Sequence, residues 1–260
     1  MIGFNGGLIG KARTTSAQFS VPGVWTPDEQ LRAKDASLWP GVGIATSGLI
    51  LYLDAGLSSS YPGTGATWTD LSSSGNNGTL TGGAAFDSGD GGSILFNGVN
   101  NNCVSLPLIT AAITNVTLQC WVYLSTSSKK GAFFGIGTNS NGFHIGVGSG
   151  TLDNNGNEII ALFSGIRFIS TSVNYGTGWK FVTLLLDGSS IPSIYNGSTY
   201  IGSYSGSSPN VPTTVAVIGG ENTTNRMFAG NVAQAIAYNR ALSATEIEAN
   251  FNATKVRYGL

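Results

Sequence analysis

Along most of this chain the hydrophobic residues fall in short runs separated by glycine, serine, threonine and asparagine. From about residue 41 the runs read "GLILYLDA", "SILFNG", "NVTLQCWVYL", "GAFFGIG", "GFHIGVG", "NEIIALFSGIRFIS", "WKFVTLLLDG", "SIYNGSTYIGSYS", "TTVAVIGG" and "FAGNVAQAIAYN". Runs of this length bounded by turn residues predict strands rather than helices. Asn-Gly or Asp-Gly occurs at Asn77, Asp90, Asn97, Asn141, Asp187 and Asn196, which suits hairpin turns that need positive φ. "SIYNGSTYIGS" is the clearest single hairpin. Many regularly spaced strands with almost no helical period predict an all-β sandwich.

Within "NVTLQCWVYL" the alternation assigns faces. Val116, Leu118, Cys120, Val122 and Leu124 share the side that reads as core. Thr117, Gln119, Trp121 and Tyr123 share the other, which is mixed polar and aromatic. Two helices are expected. In "LSATEIEANFNATKVRY", Ser243 and Glu246 form a capping box, Leu242 staples against Ile247, and Ile247 and Phe251 face the sandwich. In "VWTPDEQLRAKDASLWP", Thr26 caps, Pro27 takes the first helical position, and Pro40 ends the segment. This earlier helix is about two turns, too short to stand alone.

Residues 1–40 differ from the rest of the chain. They open "MIGFNGGLIGKARTTS" and hold four of the 12 basic residues. Lys11 and Arg13 come after the apolar stretch, the reverse of a secretory signal. "NGGLIGKA" misses two positions of a phosphate loop, and Ile2 stands where myristoylation needs glycine. The segment therefore reads as an assembly peptide. Phe4, Leu8, Ile9, Lys11, Arg13, Trp25 and Trp39 are its expected docking residues. The division is 1–40 for docking and 41–260 for the sandwich.

Composition sharpens this. Only 10% of residues are charged, so the surface is hydroxyl and amide rather than ionic. A net charge of −1 gives no electrostatic support for nucleic-acid binding. No apolar run is long enough for a membrane-spanning helix. Cys103 and Cys120 cannot build a disulfide framework or a four-thiolate zinc site, and are expected as buried thiols.

The order "GLILYLDAG…SYPGTGATWTDLS…SILFNGVNNN", then "TLQCWVYL", "WKFVTLLLDG", "SIYNGSTYIGS" and "VIGG…FAGNVAQAIAYNRALSATEIEANFNA" resembles a laminin-G-like, concanavalin-A-like jelly roll over residues 46–256. The closing "YNRALSATEIEANFNATKVRYGL" and the leader also resemble virion proteins of tailed marine bacteriophages and cyanophages. That resemblance implies a structural protein on the particle surface, a capsid decoration or a tail appendage. Its partners would be other virion proteins and host-surface glycans, with a trimer suggested by analogy alone.

The resemblance implies relatives that often bind glycans, sometimes with calcium. They commonly carry acids where this chain has Asn97, Asn100 and Asn101, and an Asp-Glu pair where it has Ala233 and Gln234. Calcium wants carboxylates among its oxygen ligands, so no cofactor is expected. Asp54 and Asp70 remain as the weak metal candidates, and turn capping is their simpler role.

Three chemistries remain to weigh. Glycoside hydrolysis needs two carboxylates flanking the bond, and Asp153, Glu158 and Asp187 stand isolated, so no catalytic residue is assigned. His144, between Phe143 and Ile145, reads as a structural strand histidine. Glycan binding needs aromatic faces and amides. Trp121, Tyr123, Gln119 and Tyr175 are the candidates, although Trp121 and Tyr123 read first as residues packed under a loop or against a neighbouring subunit.

Overall fold

The structure is a computed structural model. It describes residues 43–107, 109, 115–125, 131–137, 142–148, 156–163, 167–188, 192–203 and 216–260. All seven expected docking residues of the leader lie outside these, as does its short helix.

The described strands are β1 (Leu49–Asp54), β2 (Thr67–Trp68), β3 (Gly78–Leu80), β4 (Ala85–Asp87), β5 (Ser93–Asn97), β6 (Val104–Ser105), β7 (Asn115–Leu124) and β8 (Gly131–Gly137). They continue as β9 (Gly142–Gly148), β10 (Glu158–Phe163), β11 (Arg167–Asn174), β12 (Gly178–Asp187), β13 (Pro192–Asn196), β14 (Thr199–Ser203), β15 (Ala216–Ile218) and β16 (Ala229–Tyr238). One helix, α1 (Ala244–Thr254), comes next and tightens into a 3-10 turn over Lys255–Tyr258.

The strands form two eight-stranded sheets. The first runs β14-β13-β12-β7-β16-β5-β4, with β1 also on β16. Strand β16 is long enough to pair with β5 along its first half and β1 along its second. The second sheet runs β11-β10-β9-β8-β15-β6-β3-β2. Every pairing between these named strands is antiparallel.

The core lies between the sheets. Val116, Leu118, Cys120, Val122 and Leu124 of β7 meet Phe134, Ile136, Phe143, Ile145 and Val147 of the second sheet in one buried cluster. The alternation of β7 is therefore borne out residue by residue. Both cysteines are buried free thiols, and burial raises the pKa of Cys120.

In β8 and β9 alternation fails because both faces are buried. His144 points away from the core yet has no exposed surface. Gly135 lies directly opposite it, and a Cβ there would sit 1.8 Å from His144 Cδ2. The glycine makes room for the ring.

"SIYNGSTYIGS" is the β13–β14 hairpin, with Gly197 at φ 62°. At Asn77 the expected hairpin turn is absent: Gly78 opens β3, and Asn77 Oδ1 instead accepts from the Asp70 amide at 2.9 Å. The dipeptide ends the longer connection between β2 and β3, which do pair, rather than forming a two-residue hairpin turn.

Candidate functional site

The outer face of the first sheet carries the polar and aromatic side chains of β7, and α1 covers most of it. The helix starts as expected. Ser243 Oγ accepts from the Glu246 amide at 3.3 Å, while Glu246 Oε2 accepts from the Ser243 amide at 2.9 Å. Arg240 donates to both Glu246 oxygens, at 2.9 and 2.6 Å. Those Arg240 bonds, then the Ser243 amide, bring the Glu246 carboxyl down to about 2. Ile247 is buried with Leu242, Leu185, Ile236 and Tyr238, fixing the helix on the sheet.

Two expected glycan ligands are taken by this docking. Asn250 Nδ2 donates to Gln119 Oε1 at 2.6 Å and to Tyr238 Oη at 2.9 Å. Gln119 Nε2 donates to Thr183 Oγ1 at 3.0 Å. Trp121 Nε1 donates to Thr254 Oγ1 at 2.7 Å, and its ring stacks on Tyr258 at 4.1 Å between centroids. Gln119 and Trp121 have no exposed surface. The expectation is corrected at both positions: α1 and the turn after it occupy the faces that a sugar would need. Trp121 is thus packed under, but by a helix and its closing turn rather than by a loop or a neighbouring subunit, and the helix satisfies its indole N–H.

The carboxylate of Asp54 is likewise committed. Arg257 Nη1 and Nη2 donate to its two oxygens at 2.6 and 2.9 Å, a bidentate pair. Gln234 Nε2, the Gly56 amide and Tyr52 Oη donate to it as well, at 2.5, 2.9 and 3.3 Å. Burial disfavours the charged guanidinium, but the bonds and charge of Asp54 outweigh this and raise the Arg257 pKa. Asp70 accepts from the amides of Tyr52, Ser72 and Asn76 and from Ser72 Oγ, all within 2.9 Å. Both carboxylates are spent on protein donors, and each caps a turn as its simpler role had it, Asp54 through the Gly56 amide and Asp70 through that of Ser72.

Gln234, where relatives carry an acid, supplies a donor to Asp54. Ala233 is buried beside Trp121. Asn97 Oδ1 accepts from the Val99 amide, and Asn101 adopts φ 66°, so these asparagines shape a loop. Asn100 is exposed on that loop. Among the described residues, no three His, Cys, Asp or Glu side chains come together as a metal group.

Beyond the reach of α1 the same face stays open among the described residues. Strand register sets Trp179, Tyr123, Asn231, Leu95 and Ala85 in one row across β12, β7, β16, β5 and β4. Their neighbours Val122, Val232, Ile94 and Phe86 point into the core, so the row points out. Tyr123 and Asn231 are half-buried, Leu95 is 44% exposed, and Ala85 is exposed. Tyr123 stands edge-on to Trp179 at 5.5 Å. The row spans about 19 Å from the strand spacing.

One side of this shelf is walled by the β4–β5 turn. Asp90 takes φ 50° there, and its Oδ2 accepts from Trp179 Nε1 at 3.0 Å. Because β16 and β7 separate β5 from β12, that bond draws the turn across the sheet. Asp87 Oδ2 and Ser93 Oγ both accept from Asn231 Nδ2 at 3.0 Å. Asn231 is thus held with its Oδ1 free of partners among the described residues. Sequence reading found Tyr123 but not Asn231, Leu95 or Asp90. Their common row appears only once β16 is placed between β7 and β5.

The other candidates lie apart. Tyr175 packs against the interior core, away from Tyr123. His144 Nε2 contacts Gly137 O at 3.1 Å, and burial lowers the pKa of the ring. Glu158 starts β10 and Asp187 ends β12. Asp153 is outside the described residues.

A laminin G model of the concanavalin A-like lectin/glucanases superfamily matches residues 97–248, more than half of the chain. The chain belongs to that superfamily. Solved structures extend the likeness in fold. The binding domain of Paraclostridial Mosquitocidal Protein 1 aligns with TM-score 0.62 at 16% identity, covering 79% of this chain and 52% of that one. The botulinum neurotoxin type G receptor binding domain aligns at 0.57 and 17%, covering 79% and 51%. This superfamily member thus spans about half the length of those two chains. Domain 4 of AbnA, an extracellular arabinanase from Geobacillus stearothermophilus, in complex with arabinotriose, aligns at 0.58 and 16%, covering 81% of this chain and all of that one. No curated protein sequence matches the chain.

Proposed function

We propose that this chain is a non-catalytic, lectin-like module that binds glycans through the open shelf of its first sheet. The observation that carries the reading is the row of Tyr123, Asn231 and Leu95. It sets an aromatic ring, a fixed amide and an exposed aliphatic side chain side by side, while the strand neighbours Val122, Leu124, Val232, Ile94 and Phe96 are buried. Sugars present apolar C–H faces and hydroxyls, and such a row answers both. Superfamily membership supports it, and so does the bound arabinotriose of the AbnA domain, which shares the fold. Binding is favoured over hydrolysis by placement. The two carboxylates at the shelf, Asp87 and Asp90, sit on one hairpin and so on one side of any bound sugar, whereas hydrolysis needs carboxylates flanking the bond.

The module would be carried on a virion, docked by residues 1–40, as a capsid decoration or tail appendage reaching host-surface glycans. The support is the resemblance of the leader and of "YNRALSATEIEANFNATKVRYGL" to virion proteins. A glycan array probed with the full chain tests the binding. We expect selective retention that is unchanged by chelator, because Arg257 already neutralises Asp54. Tyr123→Ala should lower affinity about tenfold, the worth of one aromatic contact. An array with no retained glycan would refute the binding reading.

A further inference from the structure

We infer that the shelf selects uncharged glycans and rejects those bearing carboxylate or sulfate. This rests on the glycan-binding reading and adds the class of sugar. The balance of charge and hydrogen-bonding groups at the site carries it. Apart from the Tyr123 hydroxyl, which can donate or accept, the side-chain oxygens left open there are acceptors. Asn231 Oδ1 and Asp90 Oδ1 have no partner among the described residues, and Asp87 accepts only from the Gly89 and Asn231 nitrogens. Sugar hydroxyls donate to such groups, whereas a carboxylate or sulfate has nothing to donate.

Among the described residues whose side chains are placed, the cations that could offset Asp87 and Asp90 are engaged elsewhere. Arg257 is held bidentately on Asp54, and Arg240 on Glu246. Arg226 pairs with buried Glu221. Lys180 donates to Thr177 O, and its neighbours Trp179 and Phe181 are the residues of β12 that face outward. Lys255 lies over the Phe251 ring. Among the described residues whose side chains are placed, the shelf therefore presents two carboxylates and no opposing cation. An anionic sugar seated on Tyr123 and Leu95 would bring like charges together, which suppresses the wrong partner.

The test is an array on which each neutral oligosaccharide is printed beside its sialylated or sulfated form, lactose beside 3′-sialyllactose among them. It is probed with the full chain at low and high salt. The expected result is that neutral forms are retained and their anionic partners bind at least tenfold more weakly. That gap should narrow at high salt, where exposed charges are screened. Asp87→Asn with Asp90→Asn keeps an acceptor oxygen at each position, and it should narrow the gap at low salt. Equal retention of both forms, or preference for the anionic ones, overturns the inference and leaves the glycan-binding reading standing. No retention of any glycan overturns both. Hydroxyl-radical footprinting of the sugar-free chain covers the other occupants. Protection of Tyr123 and Leu95 that persists on dilution would place residues 1–40 on the shelf, and protection lost on dilution would place a second copy there. Either result overturns the inference.

Discussion

At the residue scale, Asp54 shows what a carboxylate costs when buried and what makes it tolerable. Its side chain has no exposed surface, and five donors converge on it. Among the described residues, Arg257 supplies the compensating charge. Removing one partner of a buried pair leaves the other charge uncompensated, typically a loss of about 3–5 kcal/mol. Arg257→Ala should therefore destabilise the domain by roughly that amount in urea denaturation. Arg257→Lys should recover only part of it, since an ammonium cannot make the paired bonds of a guanidinium. Equal stability of all three chains would mean that the pair contributes nothing measurable. The family signature drew attention to Asp54, but its partner lies 203 residues away. Nothing local links the two, so sequence reading left Asp54 open as a metal ligand.

At the element scale, α1 decides which part of the first sheet can work. The capping box was legible because its two residues are three apart and their bonds are local. Where the helix would land was not. That depends on Asn250, Thr254 and Tyr258 meeting Gln119 and Trp121, contacts set by tertiary placement. Sequence could list the outward side chains of β7 but could not divide them into covered and open. Ser243→Ala should cost about 1 kcal/mol by loss of the cap.

The Glu246 carboxyl gives the same element a pH signature. Its folded value lies near 2, below the usual 4.3 or so of a free glutamate. The stabilisation is complete above about pH 4.3 and is lost as pH falls toward 2. The pair is partly exposed, so solvent screening keeps the effect small. Glu246→Gln should flatten that acid limb of the denaturation profile. An unchanged acid limb would argue that Glu246 titrates alike in the folded and unfolded chain.

At the scale of the whole molecule, the two sheets and the core between them are built from residues 49–238, and residues 1–40 carry the proposed docking role. Removing residues 1–40 should leave a cooperative thermal transition and the same array profile, while abolishing incorporation into particles. Undiminished incorporation would sink the docking role, and loss of the transition would show that the leader belongs to the fold. The sandwich itself was readable from alternation and turn spacing. The strand order was not, because antiparallel neighbours such as β16 and β1 are far apart in sequence.

That order also bears on synthesis. Strand β16 is the shared neighbour of β1, β5 and β7, so a nascent chain cannot complete its first sheet until residue 238 has left the ribosome. Asp54 then waits further, for Arg257. Until that point the outer face with Trp121 and Tyr238 is bare and sticky. The emerging polypeptide is thus a natural client for chaperones, and translation that stops short of Arg257 yields a product that aggregates rather than a shortened working domain.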